Sequence, residues 1–151
     1  MTRTIYMDVC CLNRPFDDQN QPRIHLEAEA VLAILSEIES GHWDLLAGEV
    51  VDLEVDRIAD SARRERVRQV IPRIRRFVRL NEDAFARALE LESKGFGGVD
   101  ALHLAAAEQG RADVFLTTDD QLLRLAGRLR DQLRVRVENP LIWLQNVLEE
   151  Q

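Results

Sequence analysis

The sequence predicts an α/β fold, a three-layer α/β/α sandwich with a mostly parallel central sheet. Three observations support this prediction. Short hydrophobic segments alternate along the chain with longer segments of helical periodicity. Hydrophobic residues make up 46% of the 151 positions and charged residues 31%, which is typical of globular proteins. No linker rich in proline, glycine or serine divides the chain, so we expect a single domain over residues 1–151.

The strands are predicted from short apolar runs bounded by polar or turn residues. The first run reads TIYMDV and the fourth reads DVFLT. Because helical segments separate the runs, the strands are expected to pair in parallel and to be covered on both faces. The predicted strands are 4–9, 43–47, 77–80, 113–117 and 134–137.

The helices are predicted from apolar spacing and from the residues that begin or end helices. Gly41 follows the first periodic segment, as expected beyond a helix end. Pro72 is expected to interrupt or kink the segment in which it lies, and Pro140 suits the first turn of the last helix. The predicted helices are 24–39, 49–59, 62–76, 82–94, 99–109, 119–130 and 140–149, with a loop over 13–23 and a flexible turn over 95–98.

Charge is unevenly distributed along the chain. The net charge is −7, yet residues 57–79 hold nine arginines and two acids, which makes that segment +7 and the remainder −14. Arginine pairs with phosphate oxygens, so the basic segment could bind a nucleic-acid backbone. A solvated helical face explains it equally well, since arginine is a good helix former. The acidic total by itself therefore does not exclude a nucleic-acid partner.

Several protein classes are disfavoured by the composition. No apolar run approaches the roughly 20 residues that a membrane helix needs. The first eight residues lack the long apolar stretch of a secretion signal. Cys10 and Cys11 are adjacent, which suits neither a disulfide framework nor a CxxC motif. We therefore expect a cytoplasmic protein with no membrane partner.

Four acidic residues are candidates for one site. Asp8 lies at the end of the first predicted strand, and Asp119 follows the fourth. Glu54 lies on the helix after the second strand, and Asp100 begins the alanine-rich helix. The spacings of 46, 46 and 19 residues exclude a local motif, so only the fold could bring them together. Active sites of parallel sheets lie at the carboxyl ends of the strands, where these residues are predicted.

A cluster of carboxylates is suited to a hard cation such as Mg²⁺, with Mn²⁺ as the alternative. Without a cation, the like charges would repel and raise one another's pKa. Bound Mg²⁺ would relieve that repulsion, activate a water and neutralise phosphate charge. Simpler explanations stay open for single residues: Asp100 and Asp119 could be helix N-caps, Asp8 could simply end a strand, and Glu54 could belong to a solvated acidic face.

Three blocks of sequence resemble the PIN-domain family, whose single-domain prokaryotic members include the VapC-type toxins. The blocks are YMDVCCLNRPFDD, LLAGEVVDLEVDRI and GVDALHLAAAEQGRADVFLTTDDQLL. The third is the most specific, with an Asp opening an alanine-rich helix, a Gly ending it, a hydrophobic strand and then TTDD. The resemblance runs from about Tyr6 to Asn139 and implies a metal-dependent ribonuclease of PIN-like fold.

The resemblance also implies roles for individual residues. Asp8, Asp100 and Asp119 match the acids that hold metal, and Glu54 matches the remaining catalytic acid, as a further or water-mediated ligand. Asp120 is a substitute or assistant for Asp119. Thr117 fits the small hydroxyl residue near the fourth acid and is assigned to substrate binding. A small antitoxin protein is the partner that the resemblance implies.

The sequence departs from the family pattern next to the first acid. Many members have Thr or Ser and then Asn after it, whereas Val9 and Cys10 stand here. A polar contact is therefore either missing or supplied by Asn13. Gly48 stands where many members have Ser before the Glu.

Three further features have open interpretations. His103 lies three residues after Asp100, on the same helix face, and either supports the metal ligands or is a hydrogen-bonded core histidine. Arg14 either holds a phosphate or is solvated in its loop. The apolar stripe around Trp143 indicates core packing, with a homodimer interface as the alternative.

The sequence thus predicts an Mg²⁺-dependent endoribonuclease, a hydrolase of RNA phosphodiester bonds and the toxin of a toxin–antitoxin pair. A non-catalytic RNA- or protein-binding module is the alternative. An aspartyl phosphatase using Asp8 as nucleophile is a further one, although such enzymes usually carry a second Asp where Cys10 stands.

Overall fold

Five strands form one sheet in the computed structural model, which describes residues 2–73 and 75–150. They are β1 (Arg3–Met7), β2 (Trp43–Gly48), β3 (Arg76–Val78), β4 (Val114–Leu116) and β5 (Arg136–Glu138). Their order is β3-β2-β1-β4-β5, and each described pairing is parallel. The predicted parallel sheet is confirmed, with β1 at its centre.

Helices connect and cover the strands. They are α1 (Val9–Asn13), α2 (Pro22–Glu39), α3 (Glu49–Asp56), α4 (Ser61–Val70), α5 (Glu82–Ser93), α6 (Gly98–Gln109), α7 (Asp120–Arg128) and α8 (Pro140–Glu149). Two 3-10 turns, Arg14–Phe16 and Arg130–Gln132, complete the connections. Side-chain caps begin several helices, because Asp60, Asn81, Asp119 and Asn139 each accept a hydrogen bond from a backbone amide in the first turn.

The helices pack in groups against a sheet whose central strands are buried. Helix α2 packs against α8, while α3 and α5 pack against α6. Strands β1 and β4 contribute Tyr6 and Phe115, whose stacked rings lie 5.3 Å apart and are fully buried. Burial on both faces is characteristic of parallel strands. The predicted α/β/α sandwich is confirmed.

The Ala-rich helix α6 is almost wholly buried on one side. Ala101, Ala105, Ala106 and Ala107 are among its buried residues. Small side chains let the helix approach its neighbours closely, and the glycine that ends it, Gly110, lies against the Leu46 side chain of β2. This packing fixes the position of the first turn of α6, which carries Asp100.

The helix predicted over 62–76 ends earlier than expected. Helix α4 stops at Val70, and Ile71 is extended, with φ −71° and ψ 120°. A residue that precedes proline is pushed out of the helical region, so Pro72 ends this helix rather than kinking it. Arg76 belongs to β3, where it pairs with Leu46. The predicted extension to residue 76 was wrong.

The segment after β1 is more ordered than the sequence indicated. Strand β1 ends at Met7, and Asp8 caps the short helix α1 rather than continuing the strand. The predicted loop over 13–23 holds the end of α1, the Arg14–Phe16 turn and the start of α2 at Pro22. Proline suits this first helical position because its missing amide would have no helical partner.

The basic segment 57–79 is partly used inside the fold. Arg63 on α4 donates to the Asp17 carboxylate at 2.8 Å and to the Phe16 carbonyl at 2.6 Å. Arg68 pairs with Asp56 of α3. Arg57 and Arg66 are exposed. The segment thus both anchors α4 beside the turn that follows α1 and presents positive charge to solvent.

The stripe on α8 is mainly core. Trp143 and Val147 are buried, and the Trp143 ring meets Trp43 edge-on at 5.1 Å. Leu148 remains 55% exposed. Across the part of the chain that the structure describes, no helix combines the length and apolar character needed to cross a membrane.

Candidate metal centre

Asp8 lies at the carboxyl end of the central strand and is buried, with 6% of its surface exposed. Its backbone amide donates to Leu116 O at 2.9 Å, which joins the ends of β1 and β4. Its Oδ1 accepts from the Val9 amide at 2.8 Å, and its Oδ2 accepts from the Thr117 hydroxyl at 2.8 Å. The carboxylate therefore has one fixed orientation.

The other three acids come from three different helices. Glu54 lies near the end of α3, which follows β2 directly. Asp100 lies in the first turn of α6, and Asp119 caps α7 just after β4. Together with Asp8, they line one cavity of about 270 Å³. The structure thus brings together the four acids that the sequence singled out.

Helix capping, the simpler explanation offered for two of these acids, holds for Asp119 but not for Asp100. Asp119 is indeed an N-cap, since its Oδ1 accepts from the amides of Gln121 and Leu122, yet it also lines the cavity. Asp100 is not an N-cap, because Gly97 occupies that position of α6. Neither capping nor solvation explains why Asp100 faces three other carboxylates.

The electrostatics of the cavity favour a bound cation. Burial, together with the charges of Asp8 and Asp119, raises the pKa of Asp100 to about 6. Burial also raises the pKa of Asp8, with a contribution from the charge of Glu54, while the hydrogen bond from the Thr117 hydroxyl lowers it. Positive charge among these carboxylates would offset both effects.

The donor set suits a hard divalent ion. The cavity offers carboxylate oxygens from four residues, and its volume accommodates an ion that keeps several waters, as Mg²⁺ does. Asp8, Glu54 and His103 place one potential ligand atom each within 4.8 Å of one another. The residues present therefore fit a metal centre.

His103 contacts the site from the buried side. It is fully buried, its Nε2 bonds to Glu54 Oε1, and the same nitrogen lies 3.9 Å from Asp8 Oδ1. Its other nitrogen, Nδ1, bonds to the Tyr6 hydroxyl at 2.6 Å. His103 is therefore a hydrogen-bonded core histidine that also contacts Glu54, and its predicted role in supporting metal ligands stays a prediction.

Thr117 is a buried residue that contacts two of the acids. It is fully buried, donates to Asp8 and accepts from the Asp119 amide at 3.1 Å. It therefore links the first and fourth acids. Its predicted contact with substrate stays a prediction.

Cys10 supplies the polar contact that the sequence left open. Its thiol donates to Asp8 Oδ2 at 3.4 Å and lies 3.3 Å from Thr117 Oγ1, and the residue lines the cavity. The sequence had not indicated that Cys10 would supply this contact. The sequence feature that could have indicated this contact is the position of Cys10 two residues after Asp8. Because α1 begins at Val9, the thiol lies beside the Asp8 carboxylate. Cys10 and Cys11 are both free thiols.

Asn13 and Arg14 make contacts beside the cavity. Asn13 donates to Val9 O at 3.1 Å and accepts from Arg63 at 3.2 Å. Arg14 pairs with Glu27 at 2.9 Å and with Asp17 at 3.1 Å. The predicted roles of Asn13 in supporting the ligands and of Arg14 in phosphate binding stay predictions.

Asp120 points to a different partner from its neighbour Asp119. Two nitrogens of Arg23 bond to its carboxylate, at 2.6 and 2.8 Å. This hydrogen bond and the charge of Arg23 lower the pKa of Asp120. Asp119 is therefore the acid of the pair that faces the cavity.

Tyr6 is a site residue that sequence reasoning missed. It precedes Asp8 by two positions, so both lie on the same side of the extended chain, which is the signal that could have found it. Burial raises the pKa of its hydroxyl well above the ordinary value, and the charges of Asp8 and Glu54 add to the effect.

Comparison with known proteins places the fold. The PIN domain family matches residues 5–128. The crystal structure of FitAcB from Neisseria gonorrhoeae superposes with a TM-score of 0.59 at 20% identity, covering 90% of this chain and 97% of that one. The crystal structure of VapBC2 from Rickettsia felis, bound to a DNA fragment from their promoter, gives a TM-score of 0.58 at 13% identity, covering 90% and 98%. No curated protein matches the chain.

Proposed function

The chain belongs to the PIN-domain family, and on that premise we propose that it is a metal-dependent endoribonuclease that hydrolyses RNA phosphodiester bonds. The observation that carries the proposal is the cavity at the carboxyl edge of the sheet. Asp8, Glu54, Asp100 and Asp119 line it although they come from four separate elements. Convergence of four acids is costly without a cation, and a cation bound there would meet a phosphate group.

The roles of the acids follow from their positions. Asp8, Asp100 and Asp119 would hold the ion directly, and Glu54 would be a further or water-mediated ligand. We propose Mg²⁺ as the ion, with Mn²⁺ as the alternative, because the donors are oxygens. When bound, the ion would supply charge neutralisation at the phosphate and make an attacking water more acidic.

The protein groups would keep the acids in place and direct the water. Thr117 and Cys10 hold Asp8 Oδ2, while the α7 amides hold Asp119 Oδ1. Oε1 of Glu54 is held by His103, so Oε2 is the atom that we assign to orient the attacking water and accept its proton. Short, fixed contacts of this kind reduce the reorganisation needed at the reacting phosphate.

The RNA backbone would lie along the positive charge of segment 57–79. Arg57, Arg66 and Arg73 are exposed there. Arg14 is already paired with Glu27 and Asp17, so its contact with phosphate would require it to exchange partners. We assign the main backbone contacts to the exposed arginines and a secondary one to Arg14, with Thr117 acting through Asp8.

We propose that a small antitoxin protein blocks the site, which makes this chain the toxin of a pair. The likeness to the FitAcB and VapBC2 structures supports this proposal through the shared fold. Leu148, exposed on α8, is available to a second copy of the chain or to the antitoxin.

The proposal is tested by RNA cleavage. A panel of structured RNAs with Mg²⁺ should be cut by the wild type and left intact by Asp8→Asn and Asp100→Asn. Asp44→Asn, an exposed acid that pairs with Thr4 in the amino half of the sheet, is the matched control and should cut normally. Cleavage that survives both site variants, or a chelator, would overturn the proposal. Binding of RNA without turnover would favour a non-catalytic module.

A further inference from the structure

Tyr6 and His103 form a buried pair behind the acidic cavity. We infer that this pair is a positioning device: His103 donates its Nε2 proton to Glu54 and holds that carboxylate at the cavity, and it is not itself a metal ligand. The inference rests on the metal centre of the proposed function and deepens it. It also adds Tyr6, whose hydroxyl bonds to His103 Nδ1.

The pair is rigidly enclosed. Tyr6 and His103 have no exposed surface. The Phe115 ring stacks on Tyr6 at 5.3 Å and meets His103 edge-on at 6.4 Å, so the imidazole has packed neighbours on its sides. Its two nitrogens bond to the Tyr6 hydroxyl and to Glu54, at opposite ends of the ring. The ring therefore links the core of the sheet to α3.

The hydrogen bonds select one tautomer of the imidazole. A phenol is protonated at neutral pH and carries one hydrogen to donate. Among the described residues, His103 Nδ1 is the group within hydrogen-bond distance of that hydroxyl, at 2.6 Å. If Nδ1 accepts from Tyr6, a neutral ring carries its hydrogen on Nε2. That hydrogen points at the Glu54 carboxylate, which can only accept.

The opposite tautomer would place two lone pairs face to face. Nε2 without a hydrogen would direct its lone pair at Glu54 Oε1, and the Tyr6 hydrogen would need another acceptor. Both changes would leave buried polar groups unsatisfied, which is strongly unfavourable. The arrangement Tyr6 O–H to Nδ1 and Nε2–H to Glu54 satisfies every group in the chain of contacts.

Glu54 needs such a support because His103 is the one side-chain partner that its carboxylate has among the described residues. Its side chain is 38% exposed and lies near the end of a short helix. A glutamate also loses more side-chain entropy on fixing than an aspartate does. The bond from His103 selects the conformation in which Glu54 faces Asp8, since the same nitrogen lies 3.9 Å from Asp8 Oδ1.

The Nε2–H tautomer of His103 also indicates which class of ion the site would bind. Of the three residues whose ligand atoms lie within 4.8 Å, two then offer oxygen and the third offers a proton. An all-oxygen set favours Mg²⁺ or Mn²⁺, whereas an imidazole nitrogen in the set would favour Zn²⁺ or other softer ions. His103 thus acts on the metal through Glu54, as supporting groups do in other metal sites.

The decisive measurement is the tautomer of His103 in the full chain. Long-range ¹H–¹⁵N spectra resolve the protonated nitrogen, and His103→Gln identifies the signal against those of the exposed His25 and His42. We expect the Nε2–H tautomer without metal and after saturation with Mg²⁺. A hydrogen on Nδ1, or loss of the Nε2 hydrogen on adding Mg²⁺, would overturn the inference. The metal-free spectrum decides the tautomer even if no ribonuclease activity is found.

Variants test the positioning role through Mn²⁺ affinity, measured by calorimetry. Tyr6→Phe keeps the ring and removes the hydroxyl, and we expect Mn²⁺ to bind several-fold more weakly. His103→Leu should weaken binding by about 10–100-fold, the range seen when supporting residues are lost. His103→Gln should recover part of that loss, because its amide can still donate to Glu54. His42→Gln, at an exposed histidine, is the control and should bind normally.

The Mn²⁺ affinities of the variants distinguish a positioning role for Tyr6 and His103 from a purely structural one. Unchanged Mn²⁺ affinity in Tyr6→Phe, or equal affinity in His103→Gln and His103→Leu, would contradict a positioning role. Near-ultraviolet circular dichroism of each variant reports whether the core around Phe115 is intact. If His103→Leu does not fold, the Tyr6→Phe affinity and the tautomer of the wild type still decide the question.

Discussion

Asn139 donates from Nδ2 to Oε2 of Glu27 at 2.6 Å, although 112 positions separate the two residues. Glu27 is fully enclosed in α2, with 1% of its surface exposed. Its carboxylate also accepts from Arg14 at 2.9 Å and from Arg23 at 3.2 Å. Since Asn139 caps α8, this one carboxylate joins α2, α8 and the turn that follows the Asp8 segment.

Glu27→Gln should destabilise the fold strongly. The substitution removes the charge that balances Arg14 and Arg23 and leaves a buried polar network incomplete. Breaking a buried ion pair from one side typically costs about 3 kcal/mol or more. Urea unfolding measures the change, with the exposed Glu29→Gln as control, expected within about 0.5 kcal/mol of the wild type. A loss below about 1 kcal/mol in Glu27→Gln would mean that water satisfies the network.

Asp119→Asn should reduce RNA cleavage, whereas Asp120→Asn should remove only a surface ion pair. Asn caps helices about as well as Asp, so neither variant should unfold α7. Asp119 lines the cavity, and its loss should lower RNA cleavage by at least about tenfold, as expected for a metal-centre residue. Asp120 is bonded to Arg23 outside the cavity, and its variant should stay within about threefold of the wild type. A larger loss of RNA cleavage in Asp120→Asn than in Asp119→Asn would identify Asp120 as the fourth acid of the site.

The metal-free protein should lose stability as pH rises from about 4 to about 6. The pKa of Asp100 is raised from 3.8 to about 6 in the folded chain, chiefly by burial. The folded state then binds the proton more tightly than the unfolded state. Its contribution is complete below the unfolded pKa and is lost as pH rises through the folded one. Asp100→Asn is neutral throughout and should melt above the wild type at pH 7.

The difference in melting temperature between Asp100→Asn and the wild type should shrink towards about pH 4. Thermal unfolding in chelator, followed by circular dichroism, measures it across that range. Asp44→Asn is exposed on β2 and should show no comparable pH dependence. A constant difference for Asp100→Asn from about pH 4 to pH 8 would refute the electrostatic explanation.

Two glycine substitutions should change stability in opposite directions. A Cβ on Gly110 would lie 2.2 Å from Leu46 Cδ2, so Gly110→Ala must displace a core side chain and should cost about 1–3 kcal/mol. A Cβ on Gly127, within α7, would meet nothing within 4 Å. Gly127→Ala should therefore stabilise the helix by about 0.5–1 kcal/mol. Chemical denaturation of both variants provides the comparison, and equal signs would contradict it.

Strand-end acids made much of the site predictable from sequence. Asp8 and Asp119 follow short hydrophobic runs, and a parallel sheet brings such positions to one edge. Asp100 is predictable from its place at the start of an alanine-rich helix. Each of these positions can be recognised from the local sequence pattern. Parallel pairing then brings the carboxyl ends of strands to one edge of the sheet, however far apart they lie in the sequence.

Contacts between side chains that lie far apart in the sequence could not be predicted from it. Nothing local relates Tyr6 to His103, 97 positions away, or Glu27 to Asn139. The short helix after Asp8 was missed because five residues carry too little periodicity to distinguish a helical turn from a loop. The end of α4 at Val70 was missed because Pro72 was expected to interrupt or kink a helix running to residue 76, whereas Ile71 before it is already extended and the helix does not resume.

The position of β1 between β2 and β4 has a consequence for synthesis on the ribosome. Asp8 is made early, but the groups that hold it, the Leu116 carbonyl and the Thr117 hydroxyl, emerge more than one hundred residues later. A nascent chain lacking β4 has no neighbour for one side of β1 and cannot close the acidic cavity. The acidic cavity is therefore complete only after translation has passed Asp119, so until then the growing chain lacks the site to which we assign RNA cleavage.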